Sequence, residues 1–183
     1  MELFPASFLL LFYQVALGGL FAIAATPFHE LERGFYKSTA AVLFVVGALG
    51  FLGKANIYLD SLSRGIWLAA GMEMLFYLLF VLFFALYLFS LWGERVLLRA
   101  RAFTFSLGTG LAGLAVTADT FYQASFWSLE TLLYPASFFL SALLLGGVTV
   151  GMLIGHWYLI DTGQSIDPFI RIYKFFFIAL VIQ

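Results

Sequence analysis

Residues Gly65–Gly93 read GIWLAAGMEMLFYLLFVLFFALYLFSLWG and contain a single charged residue, Glu73. A helix needs about 20 apolar residues to cross the hydrocarbon core of a bilayer. This stretch exceeds that length and therefore predicts a membrane-spanning helix. A charged group at bilayer depth is costly, so we expect Glu73 to face protein, water or a ligand rather than lipid.

The composition places the whole chain in the same class. Hydrophobic residues make up 63% of the 183 residues and charged residues only 10%, whereas a soluble domain carries about a quarter charged residues. The net charge of −1 argues against a nucleic-acid partner. The chain has no cysteine, which excludes disulfides, thiolate-bound zinc, cysteine-ligated iron–sulfur clusters and cysteine nucleophiles. The lipid bilayer is therefore the expected surrounding of this protein.

Six apolar runs predict an all-α, polytopic membrane bundle of about six transmembrane helices. No backbone polar group can stay unpaired in lipid, so the runs should be helical. The second run reaches spanning length only if it extends towards Tyr58, and the fourth only with its flanks. The short loops indicate one transmembrane domain over residues 1–183 and no soluble domain. The runs are Pro5–Ala25, Thr39–Leu52, Gly65–Gly93, Ala102–Ala118, Thr131–Ile160 and Phe169–Val181.

The two ends of the chain lead to two further expectations. No basic residue precedes the first run, which argues against a cleavable signal, so we expect this run to remain as a span. Only nine residues follow Lys174, too few to cross about 30 Å. We therefore expect the sixth span to be truncated and the natural protein to continue; the alternative is a short terminal helix half-inserted in the bilayer.

The basic residues predict the orientation. Seven of them follow odd-numbered spans, and only Lys54 and Arg64 are counted on the opposite side. The positive-inside rule then puts loops 1, 3 and 5 in the cytoplasm and the N-terminus outside, in an inner or plasma membrane. The seven are Arg33, Lys37, Arg95, Arg99, Arg101, Arg171 and Lys174.

Gly147, Gly151 and Gly155 lie four residues apart on one face of the fifth span. Such a smooth face lets another helix approach closely, with the glycine-rich fourth span as the expected partner. The same groove could seat a flat cofactor, a haem or a quinone ring. Helix packing is the favoured interpretation.

His156 follows this glycine face, and His29 follows the first span. The predicted topology puts both near the cytoplasmic interface, where they could be the axial ligands of a b-type haem iron. Alternatively, His156 with Asp161 or Glu30 could bind a quinone head group and exchange its protons. The structural alternative is a solvated His29 and an interfacial anchor at His156.

Glu73 and three other polar residues predict an outward-facing pocket. Gln14 lies at comparable depth in the first span, Tyr77 lies one turn from Glu73, and Asp119 ends the fourth span. The functional interpretation is a proton relay, a cation site or a hydrogen bond to a ligand. The structural interpretation is a protonated Glu73, hydrogen-bonded to Gln14 or to a backbone carbonyl.

Three hypotheses for function follow. The leading one is an integral subunit of a larger, bioenergetic membrane complex, which helps to hold haem or quinone near the cytoplasmic face. The second is a small transporter or channel that works through Glu73 and Gln14. The third is a structural scaffold among other membrane subunits. No nucleophile–base pair stands out, so catalysis by this chain alone is not expected.

Overall fold

The computed structural model describes residues 3–26, 28, 30–65, 67–122 and 129–183. These residues form six α-helices and no strand, which confirms the predicted all-α bundle. The helices are α1 (Leu3–Ala24), α2 (Arg33–Ser63), α3 (Trp67–Ser90), α4 (Val96–Tyr122), α5 (Glu130–Trp157) and α6 (Asp167–Ile182).

Four of these helices are long and apolar enough to cross a membrane, which makes this a multi-pass membrane protein. They are α1, α2, α3 and α5, with candidate spans Pro5–Ala24, Arg33–Ser61, Ala70–Ser90 and Glu130–Trp157. Helix α4 has 27 residues, or ~40 Å of length, but carries two arginines near its start. Helix α6 has 16 residues, or ~24 Å, which is shorter than the ~30 Å hydrocarbon core.

Helix α2 is much longer than the apolar run from which it was predicted. It extends from Arg33 to Ser63, because Lys54 and the residues after it continue the helix beyond Leu52. Lys54 is a buried residue within the span, 4% exposed, and not a loop residue. Counting Lys54 among the loop charges is therefore wrong.

Helix α1 is the centre of the bundle. Its span is 56% buried, against 28% for each of the other three spans. It packs against α2 and α5 along its length and also contacts α4, while α3 packs between α2 and α4, and α6 packs on α5. The core that results is rich in aromatic rings, among them Tyr13, Tyr77 and Phe80.

Glycines decide where the helices approach most closely, and the partners differ from those predicted. A methyl group on Gly146 of α5 would overlap the backbone of Gly18 of α1, so these two helices meet backbone to backbone. Gly147 and Gly151 instead face side chains of α6, and Gly155 has nothing beyond it within 4 Å. The expected pairing of this face with the fourth span is wrong. The α4 glycines Gly110 and Gly113 face side chains of α1 and α3, because α4 packs chiefly along α3.

Candidate functional site: a buried ion pair inside the bundle

Glu73 has a cationic partner, Lys54, which the sequence interpretation did not assign to it. The Lys54 ammonium donates a hydrogen bond to Oε1 of Glu73. Both residues are buried, Lys54 at 4% and Glu73 at 7% exposure. The expected hydrogen bond between Glu73 and Gln14 is wrong, because Gln14 bonds the carbonyl of Phe138 and Glu73 pairs with Lys54.

A third helix contributes to the same carboxylate. The Thr117 hydroxyl of α4 lies 2.8 Å from Oε1 of Glu73 and 3.0 Å from the carbonyl oxygen of Gly113. A hydroxyl has one proton to donate, so the two acceptors compete for it. The ion pair therefore joins α2, α3 and α4, and Thr117 can adjust to the charge of Glu73.

The pair lies well inside the helices rather than at their rims. Glu73 comes six residues after the start of α3, Lys54 nine before the end of α2, and Thr117 five before the end of α4. At 1.5 Å per residue these positions are ~9, ~13 and ~8 Å from that end of the bundle. Both charges lie within the candidate spans, Glu73 three residues after the start of Ala70–Ser90 and Lys54 seven before the end of Arg33–Ser61.

Tyr58 of α2 completes the surroundings of the ammonium group. The Lys54 Nζ lies 5.3 Å from the centre of the Tyr58 ring, a cation–π contact. The Tyr58 side chain is fully buried, and its hydroxyl lies near the Glu73 carboxylate but makes no hydrogen bond of standard geometry among the described residues. Buried polar groups without partners are uncommon and need an explanation.

On the side away from the nearer helix ends, aromatic rings close the site. Tyr13 of α1 stacks on Tyr77 at 4.1 Å between ring centres, and Phe80 follows at 5.2 Å from Tyr13. Both hydroxyls are satisfied by backbone carbonyls, Tyr13 by Gly110 at 2.8 Å and Tyr77 by Gly47 at 3.0 Å. The hydroxyl protons of both tyrosines are therefore used by backbone carbonyls and are not donated to Glu73.

Two residues predicted to join Glu73 lie elsewhere. Gln14 donates to the carbonyl of Phe138 at 3.1 Å and so ties α1 to α5. Asp119 is exposed and lines a separate cavity of about 150 Å³ with Glu130, Tyr134 and other residues of α4 and α5. Of the predicted pocket residues, only Tyr77 lies in the buried surroundings of Glu73, and it bonds Gly47 rather than the carboxylate.

The residues predicted to bind a cofactor are dispersed among the described helices. His156 is exposed at the end of α5, and Asp161 accepts bonds from Gly163 and Gln164 in the following turn. His29 lies outside the described residues, so the predicted pairing of His29 with His156 lies outside them as well. Across the described ranges, no group of three or more His, Cys, Asp and Glu side chains could hold a metal ion.

An apolar groove runs between α5 and α6, and the predicted glycine face forms one wall of it. The groove has a volume of about 350 Å³ and is lined by Gly147, Gly151, Gly155, Phe169, Ile172 and Tyr173 among others. His156 does not line it. The groove offers an almost entirely apolar packing surface for a ring, a lipid chain or a helix, with Tyr173 as the lining residue that has a polar side-chain group.

The residues missed from the sequence are Lys54, Thr117 and Tyr58. For Lys54 a signal existed, because a span starting at Thr39 and about 20 residues long must include position 54. No such signal existed for Thr117, whose small hydroxyl is common in membrane helices. Comparison with protein-family models, curated proteins and solved structures gives no match for this chain.

Proposed function

We propose that this protein is a small membrane transporter whose working site is the Lys54–Glu73 ion pair. The observation that carries the proposal is the burial of both charges inside a membrane bundle. Ionisable groups at this depth mark ion, proton and substrate pathways in membrane proteins. A buried ion pair is also weak evidence for a purely structural role, because apolar residues of similar volume often stabilise as well or better.

The pair can exist in two states that differ by one proton. With Glu73 ionised, its oxygen accepts from Lys54 and Thr117. With Glu73 protonated, the attraction to Lys54 is lost, and the Thr117 hydroxyl can turn to the Gly113 carbonyl while its oxygen accepts from Glu73. In both states the Glu73 carboxyl group has hydrogen-bond partners. A change in its protonation can therefore switch Lys54 between an ion pair with Glu73 and a free ammonium group.

We propose the predicted orientation, with loops 1, 3 and 5 in the cytoplasm and an inner or plasma membrane as the location. Removing Lys54 from the loop charges strengthens the asymmetry, because seven basic residues then oppose Arg64 alone. In this orientation the ion pair lies nearer the outer face. The site would take its substrate or proton from outside.

The experiment is a proton-flux assay in liposomes that contain the purified protein and an internal pH dye. The outside bath is a mixture of alkali salts, small carboxylates and amino acids, and the membrane potential is clamped at zero. We expect flux with the natural protein and a rate close to that of protein-free liposomes with Glu73→Gln or Lys54→Met. Arg33→Gln, which breaks the exposed Arg33–Glu94 pair, is the matched control and should keep the flux.

A second candidate function is the electron-transfer subunit, with haem b or a quinone bound and other membrane subunits as partners. The groove between α5 and α6 supports it, because a flat ring or an isoprenoid chain could lie along the glycine wall. A reduced-minus-oxidised absorption spectrum and quinone extraction of the purified protein test it. Loss of a bound chromophore or quinone in Gly151→Leu, which fills the groove, would favour this function over transport.

The scaffold hypothesis is the outcome in which neither assay gives a signal. Unchanged function of a host complex that carries Glu73→Gln and Lys54→Met together would then assign the pair to assembly.

A further inference from the structure

Buried donors at the Lys54–Glu73 site are left without hydrogen-bond acceptors. An ammonium group has three N–H donors, and Lys54 has one hydrogen-bond acceptor among the described residues, Oε1 of Glu73. The Tyr58 hydroxyl beside it is buried and has no partner there. The Glu73 oxygen, in contrast, already accepts from both Lys54 and Thr117. Two N–H donors of Lys54 and the Tyr58 hydroxyl are therefore without an acceptor at hydrogen-bond geometry among the described residues.

We propose that the site binds a small anion on Lys54 and Tyr58, together with a proton on Glu73. This inference rests on the proposed transport function and names its substrate class. A cation is a poorer occupant, because it would meet the positive charge of the Lys54 ammonium. A chloride ion or a small carboxylate supplies the acceptors that the site lacks.

Charge balance requires the proton. The empty site holds one positive and one negative charge, on Lys54 and Glu73. An anion added alone would leave a net negative charge at bilayer depth, which is costly. When a proton binds Glu73 and the anion replaces the carboxylate at Lys54, the site again holds one charge of each sign. The loaded and empty sites are both neutral, so transport of proton and anion together moves no net charge.

The other titratable groups that face Glu73 do not compete for this proton. Besides Lys54, they are Tyr58 of α2, Tyr77 of α3 and Tyr13 of α1, and within the described part of α4 the group facing Glu73 is the Thr117 hydroxyl. Tyr13 and Tyr77 are held by backbone carbonyls, and buried phenols are neutral at physiological pH. We therefore assign the transported proton to Glu73.

The test uses liposomes with an internal pH dye and one probe anion at a time, potassium chloride or potassium lactate outside, with gluconate as the balancing anion. We expect an inward anion gradient to acidify the interior, with a rate that does not change when valinomycin clamps the potential. Lys54→Met should lose this movement. Glu73→Gln should lose the proton movement yet keep exchange of labelled lactate or chloride, because its neutral amide resembles the protonated acid.

Tyr58→Phe provides the conservative variant, since it removes the free hydroxyl and keeps the ring over Lys54. We expect the anion concentration for half-maximal rate to rise by about tenfold, as for loss of a hydrogen bond to a charged group. Gel filtration and circular dichroism check that each variant is folded. If Lys54→Met does not fold, the results with Tyr58→Phe and Glu73→Gln still test whether the site binds an anion and a proton.

The outcomes separate this inference from the proposed function. The proton flux in the mixed bath can depend on the Lys54–Glu73 pair and yet be driven by neither probe anion, or be driven only by a cation or an amino acid. Either result overturns the anion inference and leaves the transport function standing. Anion-driven flux that Lys54→Met retains overturns it as well. No pair-dependent flux in any bath overturns both.

Discussion

At the scale of single residues, the central fact is that two opposite charges are buried against each other inside the helical bundle. Lys54 and Glu73 are each less than a tenth exposed. Removing either partner leaves the other charge buried and uncompensated, which typically costs about 3–5 kcal/mol, whereas replacing both with apolar residues is often close to neutral.

We therefore expect Lys54→Met and Glu73→Leu, each alone, to lower the free energy of unfolding by about 3–5 kcal/mol. The double variant should recover most of that loss. Denaturant unfolding in detergent micelles, followed by circular dichroism, measures the coupling. Additive losses would show that the two side chains do not interact.

The exposed pair Arg33–Glu94 behaves differently. The hydrogen bond from the Arg33 guanidinium, at 2.9 Å, and its positive charge hold the pKa of Glu94 below its usual value. Such a group adds stability above its unfolded pKa, and the contribution is lost as the pH falls through its lowered folded pKa. Solvent screening keeps the effect small, so Glu94→Gln should leave the unfolding midpoint at pH 7 almost unchanged. A large shift would mean that this loop contact is structural.

At the scale of helices, close approach is decided by which glycine faces a backbone and which faces open space. Gly146 of α5 meets Gly18 of α1 directly, whereas Gly155 of α5 and Gly108 of α4 have no atom within 4 Å of an added methyl group. The same residue type therefore has opposite consequences at positions that look alike in the sequence. Within membranes, helices associate through such close van der Waals packing.

We expect Gly146→Ala to destabilise the protein by about 3 kcal/mol, because the methyl group must push α1 and α5 apart. Gly155→Ala and Gly108→Ala should instead be neutral or stabilising by up to about 1 kcal/mol, since alanine favours the helix. Unfolding of the three variants under one detergent condition is the measurement. Equal losses at all three positions would contradict the α1–α5 contact.

At the scale of the whole molecule, the two ends of the bundle differ in their charged residues. The end with the α1–α2 and α3–α4 connections carries contacts such as Arg33–Glu94, Arg171–Glu30 and Lys37 over the Trp92 ring. The opposite end carries the Asp60–Arg64 pair and the exposed acids Asp119 and Glu130. This asymmetry underlies the proposed orientation.

The absence of cysteine makes the orientation directly measurable. In intact cells, a membrane-impermeant maleimide should label a cysteine introduced at Arg64 and should label one at Glu94 only after permeabilisation. The reverse pattern would invert the orientation and put the ion pair nearer the cytoplasm. Labelling of both in intact cells would contradict an odd number of crossings between them.

The sequence alone determined that this is a multi-pass helical membrane protein, and it identified the six helices to within a few residues at most ends. The physical reason is that a backbone in lipid must satisfy its own hydrogen bonds, so long apolar runs become helices whatever their neighbours. It also identified Glu73 as the unusual residue, because a charge in an apolar run is visible without a structure.

Only the tertiary structure decided what Glu73 contacts. Helices α1 and α3 are apolar on nearly every side, so their sequences do not show which face turns inward. The rotation and register of α2, α3 and α4 bring Lys54, Glu73 and Thr117 together, and the packing of α1 on α5 places Gln14 at the Phe138 carbonyl. The same packing gives Gly146 the backbone of α1 as its neighbour, because close fit between helices depends on shapes distant in the chain.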